Sequence, residues 1–382
     1  MDRRLLQRLP TIDDCRRRSR RRLPRFLFDF IDGGTEREEA LFRNRRAFSD
    51  VLLPTRVGRS VEHPETGVTL FGQRWKLPFG VSPCGYIDLI EPGTEIATAA
   101  AAEARGAPFI LSMSSISSLE ECIAAAPGSA WLQVVQSRDP AIVEDILGRA
   151  DTSGFRVLVV TMDVPMSSKR NRDLRNGFTL PLAITPSLIW DVATSPAWLL
   201  GTLRRLRPLP GNFLAYVPPG VSPTEAAMRL EHEADYVTRW EDLSTFRSRW
   251  PGTLVVKGIT HPDDAERALD LGADGIIVSN HGGRQFDAAR PTISSLPAVV
   301  ERVAGRAPVM LDSGVRSGLD IMRALSLGAS MVFSGRSFYY AAGALGRRGG
   351  AHAFDLLEAE LTIAMRQRGV STVEELLPEP FE

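Results

Sequence analysis

"ADGIIVSNHGGRQFD", residues 273–287, decides the fold. An apolar run, "GIIV", stops at a polar, glycine-rich turn that carries a histidine and, three residues later, an arginine. Such a short continuous run reads as a strand buried on both faces, the habit of a parallel sheet. The same unit recurs on either side of it. Candidate strands fall at 78–83, 108–113, 130–136, 156–163, 253–258, 274–280, 308–313 and 331–336, each ending in polar or glycine-rich sequence. Most are joined by helical segments without an internal proline, such as 93–107, 261–273 and 316–329. Alternating strands and helices imply right-handed crossovers, and eight such units close into a (β/α)8 TIM barrel, an α/β fold. A doubly wound sheet competes, but the count of eight and the lack of an early GxGxxG turn disfavour it.

The whole of 1–382 is expected to form a single domain, since one α/β barrel can use most of this length. Residues 1–77 are expected to form an N-terminal cap, with a hairpin around "VTLFGQRWKLP" closing one barrel end. Residues 164–251 far exceed the ~2–6 residues usual for a βα loop and are expected to be an insertion on the C-terminal face. Trp190, Trp198, Leu199 and Leu200 there stand near Arg204, Arg205 and Arg207. That mixture suits an active-site lid, or a segment whose aromatic and basic side chains touch a membrane surface.

Lys+Arg and Asp+Glu are equal at 46 each, so no overall charge points to nucleic acid or another polyanion. Cys15, Cys84 and Cys122 are widely spaced and form no CxxC pair, which argues against a disulfide framework or a metal site and for a reducing cytoplasm. No stretch approaches the ~20 apolar residues of a spanning helix, and the start of the chain has no apolar core for a signal peptide. The arginine run at 16–22 reads first as a solvated helix face, with an anion- or lipid-attracting patch as the other reading.

In a barrel of this kind the C-terminal strand ends face the site. Those ends carry Pro83, Cys84, Gly85, Ser112, Gln133, Thr161, Asp163, Lys257, Ser279, His281, Asp312, Gly314, Gly335 and Arg336. Gly314 with Arg316, and Gly335 with Arg336, each precede a helix, a pattern that suits a phosphate group. A phosphate held there, beside a row of hydrogen-bonding groups, implies a phosphorylated planar cofactor across the barrel mouth.

These residues resemble the flavin mononucleotide-dependent α-hydroxy acid oxidases and dehydrogenases, a family that includes glycolate oxidase, L-lactate dehydrogenase and mandelate dehydrogenase. The likeness runs from "RLPRFLFDFIDGGTEREEAL" through "SNHGGRQFD" to "LDSGVRSGLDIMRALSLGA", and "SNHGGRQ" matches the family's active-site signature. The insertion looks most like the lactate and mandelate dehydrogenase branch. The resemblance implies FMN as cofactor, oxidation of an α-hydroxy acid to its 2-oxo product, and quinone or oxygen as electron acceptor. It also implies a homotetramer with peripheral contact at the inner face of the membrane. It makes His281 the base, with Asp163 stabilising the imidazolium, and Arg284 and Arg170 the clamp on the substrate carboxylate. Lys257 would stand at the flavin N1–C2=O edge, and Ser112, Gln133, Thr161 and Ser279 would hydrogen-bond the flavin or its ribityl chain. The backbone at Pro83, Cys84 and Gly85 would approach N5.

Two positions depart from the family. Phe30 and Val135 stand where it usually places tyrosines that hydrogen-bond the substrate. Each lost hydrogen bond to a charged group is worth roughly 1.5–3 kcal/mol, so the departures point to a non-standard substrate: larger, more apolar, or carrying an amide, ester or amine. A specialised biosynthetic flavin enzyme is therefore the second reading. A flavin-binding protein without turnover and a phosphate-binding isomerase barrel without flavin are the readings from other classes.

Overall fold

The computed structural model describes residues 3–178, 185–202, 209–218, 220–222, 225 and 237–377. Arg204, Arg205 and Arg207 lie outside the described residues. The N-terminal segment folds as α1 (Arg3–Arg8), α2 (Ile12–Arg22), α3 (Arg25–Asp32) and α4 (Glu39–Ser49), followed by the antiparallel pair β1 (Val68–Leu70) and β2 (Gln73–Trp75). Then come β3 (Phe79–Val81), α5 (Thr94–Arg105), β4 (Phe109–Ser112), α6 (Leu119–Ala125), β5 (Ala130–Val134), α7 (Pro140–Ser153) and β6 (Val157–Thr161). Three helices, α8 (Asn171–Arg175), α9 (Pro186–Ala193) and α10 (Pro196–Thr202), precede α11 (Trp240–Arg249) and β7 (Thr253–Ile259). The last units are α12 (Pro262–Asp270), β8 (Gly275–Val278), α13 (Thr292–Val303), β9 (Val309–Leu311), α14 (Gly318–Ser326), β10 (Met331–Ser334), α15 (Arg336–Leu345) and α16 (Gly349–Arg368).

Strands β3 to β10 pair in parallel, in chain order, and β10 closes on β3 through Val332↔Phe79 and Ser334↔Val81. This is the closed eight-stranded (β/α)8 barrel, and each of the eight runs read as strands holds one of its staves, β7 extending one residue beyond its run. The strands β3, β4, β5, β6, β8, β9 and β10 are buried along their whole length, because helices cover the outside while packed side chains fill the inside.

Local signals set the helix ends. Ser118 and Glu121 form a reciprocal capping box on α6, and Asp139 caps α7 with Pro140 in its first turn. Gly106 and Gly154 close α5 and α7 in the left-handed conformation. The hairpin covers the end of the barrel opposite the site. Phe71 lies where a Cβ on Gly275, at the start of β8, would come within 2.8 Å of its ring, and Trp75 packs edge-on to Trp131 at 6.1 Å.

The arginine run is partly structural. Arg16 pairs with Asp32 at 2.5 Å and Arg22 with Glu91 at 2.6 Å, while Arg18 donates to the Ala344 carbonyl at 3.0 Å. Arg17, Arg20 and Arg21 are solvated, as the sequence suggested. In the insertion, Leu188 and Trp198 turn inward, and Trp198 Nε1 donates to the Leu89 carbonyl. Ile189, Trp190 and Leu200 turn outward and are 60%, 73% and 81% exposed. Asn212 reaches back over the barrel, donating to the Met113 carbonyl and accepting from Leu119 N–H.

Candidate active site

The turn after β8 is built to aim one imidazole. His281, Gly282 and Gly283 all have positive φ, at 55°, 65° and 72°. For histidine this conformation costs roughly 1–2 kcal/mol, so neighbouring groups must hold it. They do: His281 N–H donates to Ser279 Oγ, Gly282 N–H to Ser313 Oγ, and Gly283 N–H to Asn280 Oδ1. Asn280 in turn exchanges two buried hydrogen bonds with Asn44 of α4. The glycines also make room. A Cβ on Gly283 would meet Leu41 N at 2.6 Å, and one on Gly282 would meet the Arg336 guanidinium at 2.7 Å.

Asp163, two residues beyond β6, places Oδ1 3.0 Å from His281 Nδ1. Its carboxylate fits because Gly258 lacks a side chain; a Cβ there would come within 2.6 Å of the Asp163 Cβ. Gly258 sits at φ 106°, at a shift in register between β7 and β8. Beside it Lys257 Nζ donates to Ser279 Oγ at 3.0 Å and lies 3.6 Å from Asp312 Oδ2. Asp312 also accepts from the hydroxyls of Ser82 and Ser313.

Burial pulls the His281 pKa below its ordinary value, with Asp163 opposing the shift and Lys257 and Arg170 adding to it. A neutral imidazole at neutral pH follows, ready to accept a proton. Burial disfavours the charged forms of Asp163 and Lys257 as well. Yet Asp163 is held below the usual range by His281 and Lys257, and Lys257 is raised by Asp312 and Asp163.

Two guanidiniums converge beside this pair. Arg284 donates from one nitrogen to the carbonyls of Phe30 and Gly33, and its Cζ stands 5.0 Å from the Phe30 ring centre. Burial and the repulsion of Arg170 bring its pKa down to about 10. Arg170 donates Nε to Ser168 Oγ and lies 4.0 Å from Asp173. Positive charge here exceeds what the chain itself neutralises, the condition for holding a carboxylate.

The apolar wall is Phe30, which packs on Phe178 at 5.0 Å and on Tyr86 at 6.4 Å. Val135 lies half-buried, its N–H on Met113 Sδ. The sequence reading overlooked Tyr339, whose hydroxyl donates to the Gly85 carbonyl and whose ring lies in the electrostatic field of Arg284 and Arg336. It also overlooked Asp173, Ser313 and Gly258. No local pattern marks Tyr339, Ser313 or Gly258, because each acts on a residue distant in sequence, whereas Asp173 stands three residues from Arg170 in a segment read only as an insertion.

The residues present fit a flavin nucleotide. Thr161 Oγ1 at the end of β6 is buried with no hydrogen-bond partner, an arrangement that costs about 1–3 kcal/mol unless a ligand meets it. Ser112, Gln133, Thr161 and Lys257 are cross-strand neighbours on β4–β5 and β6–β7. Ser279 is wholly buried and acts through Lys257 and the His281 backbone. Arg316 is pushed down to about 10 by burial, with Arg336 and Arg45 adding to the shift, so an anion would relieve it. Arg336 commits three donors to the carbonyls of Ile31, Gly282 and Gly33, and thereby joins α3 to the His281 turn. Gly314, at φ 93°, admits α4, since a Cβ would meet the Asn44 carbonyl at 2.7 Å. Gly335 faces Cys84 Sγ, whose thiol is pushed up to about 12 by burial and stays protonated. The Pro83–Gly85 turn is pinned from below by Tyr339.

Residues 19–381 match the family model described as FMN-dependent dehydrogenase. An L-lactate dehydrogenase of Caulobacter sp. (strain K31) is 40% identical over 364 residues, covering 95% of this chain and 96% of that protein. One from Pseudomonas syringae pv. syringae (strain B728a) is 38% identical over 370 residues, covering 96% and 97%. Among solved structures, a monotopic membrane protein, (S)-mandelate dehydrogenase, superposes with a TM-score of 0.91 at 32% identity, covering 96% of this chain and 97% of that one. A mandelate oxidase gives 0.81 at 34%, covering 96% of each.

Proposed function

The chain belongs to the FMN-dependent dehydrogenase family, whose members oxidise α-hydroxy acids, and on that premise we propose that His281, Asp163, Arg170 and Arg284 are its working set. Arg284 and Arg170 bind the substrate carboxylate, the first as a guanidinium fixed by two carbonyls and the second from the start of α8. His281 accepts a proton from the substrate. Asp163 orients its ring and stabilises the imidazolium that forms. Bound FMN supplies the two-electron acceptor. Lys257, backed by Asp312, supplies fixed positive charge at the cofactor face of the site. The product is the 2-oxo acid. The carrying observation is the convergence of a neutral, carboxylate-backed imidazole with two under-neutralised guanidiniums.

Phe30 and Val135 favour a substrate with an apolar group in place of the small one that phenolic donors would fix. The Phe30, Phe178 and Tyr86 rings supply the matching wall. The 164–251 insertion serves as a cover, because Phe178 and Asn212 reach the site from it. Its outward Ile189, Trp190 and Leu200 support peripheral contact with a membrane, expected at the inner face, and the acceptor expected is quinone or oxygen. Among the described residues no helix is long and apolar enough to cross a membrane. The assembly expected is a homotetramer, which light scattering measures.

The test is anaerobic mixing of the FMN-loaded protein with a panel of α-hydroxy acids of graded side-chain size. Flavin bleaching with formation of the 2-oxo acid supports the reading, and fastest bleaching by aryl or long-chain members supports the apolar pocket. No bleaching by any α-hydroxy acid overturns it.

A further inference from the structure

Outside the substrate site, α2, α3 and α8 enclose a cleft of about 330 Å³. Five arginines line it, Arg16, Arg20, Arg25, Arg172 and Arg175, against two carboxylates, Asp29 and Asp32. Glu38 pairs with Arg172 as well, so five cations against three anions leave two positive charges in a partly enclosed space. Both lining carboxylates are already engaged. Asp32 accepts from Arg16 at 2.5 and 2.9 Å, from Arg172 at 2.8 Å and from the Tyr340 hydroxyl at 2.8 Å. Asp29 accepts from Asn176 at 2.8 Å and from Arg25 at 3.3 Å. The guanidiniums of Arg20 and Arg175 have no hydrogen bond or ion pair with any described residue, although the rest of the cleft is tightly paired.

We propose that this cleft is an anion site for a phosphate or phosphomonoester group, gripped by Arg20 and Arg175 with Arg16 and Arg25 at its rim. Guanidinium forks match phosphate oxygens two at a time, and a dianion cancels most of the local excess charge. Unlike the substrate site, the cleft has its carboxylates, Asp29 and Asp32, tied up in hydrogen bonds, so it binds and does no chemistry. Its ligand can be free in solution or a lipid headgroup. The Phe26 N–H, next to Arg25, donates to Asp191 of α9 at 3.0 Å, and α9 carries the outward Ile189 and Trp190. A headgroup in the cleft would therefore lie beside apolar side chains able to meet acyl chains.

The test uses the FMN-loaded protein, the double variant R20Q/R175Q, and a charge-matched control, R302Q/R306Q, whose arginines pair instead with Asp263, Glu266 and Asp270. Orthophosphate is titrated by calorimetry in one arm. Phosphatidylcholine vesicles with and without phosphatidic acid are co-sedimented in the other. The expected result is saturable binding in at least one arm that falls about tenfold or more in R20Q/R175Q and is unchanged in R302Q/R306Q. Orthophosphate binding identifies a soluble ligand, and binding only to phosphatidic-acid vesicles identifies a headgroup. Equal weakening by both double variants, no weakening by R20Q/R175Q, or no saturable binding in either arm overturns the proposal.

Discussion

His281 Nδ1 lies 3.0 Å from Asp163 Oδ1, while the other oxygen of the same carboxylate is buried without a partner. One carboxylate thus serves one imidazole, and His281 and Lys257 hold its pKa down against burial. The pair therefore works as a unit.

Asp163→Asn keeps the shape and removes the charge. The expected outcome is a fall in kcat by a factor on the order of 10²–10⁴ with FMN content unchanged, measured by steady-state turnover alongside the flavin spectrum. Loss of FMN together with activity would instead make Asp163 a structural residue.

The pH profile carries a sign. Burial leaves the His281 pKa below 6.5, and the neutral ring is the active form. Activity is then lost as pH falls through that lowered value and is flat through neutrality. Asp163 is the group that opposes the shift, so the acid limb of kcat/KM in Asp163→Asn is expected at lower pH than in the wild type. A limb above pH 6.5 in the wild type would contradict this.

The eight strands were legible because a barrel strand buried on both faces leaves a continuous apolar run, and each run ends at a polar turn. The imidazole, its carboxylate and both arginines were legible from the turn after β8 and from the family likeness. Gly258 was not, since its role is to leave space for Asp163, and an absent side chain leaves no mark in the sequence. Ser313 was hidden for a similar reason. Its hydroxyl fixes the Gly282 N–H from a strand end 31 residues away. Arg336 reads as a phosphate ligand from its place before a helix, yet it holds three backbone carbonyls, including one on each side of the cap and barrel boundary.

Restoring phenols at the apolar wall tests the substrate argument. Phe30→Tyr adds a donor beside the carboxylate clamp, and Val135→Tyr adds one just after β5, where the substrate hydroxyl is expected. For a small α-hydroxy acid such as lactate, kcat/KM is expected to rise about tenfold or more per phenol, given roughly 1.5–3 kcal/mol for a hydrogen bond to a charged group. For a bulky aryl substrate it should fall. A decrease for both substrates would place neither residue against the substrate.

Thr161→Val removes a hydroxyl that has no hydrogen-bond partner among the described residues. The apoprotein should lose no thermal stability, while FMN affinity weakens by about five- to tenfold, as expected for the loss of one neutral hydrogen bond of ~1 kcal/mol. Equilibrium titration of apoprotein with FMN, with a melting curve alongside, reads both quantities.

The central claim, that His281 is the base in oxidation of an α-hydroxy acid, is tested most directly by anaerobic stopped-flow bleaching of the bound flavin in wild type and His281→Gln. The two should bind FMN and substrate alike, and the substituted protein should bleach slower by a factor on the order of 10²–10⁴. Bleaching of His281→Gln at the wild-type rate would contradict the account.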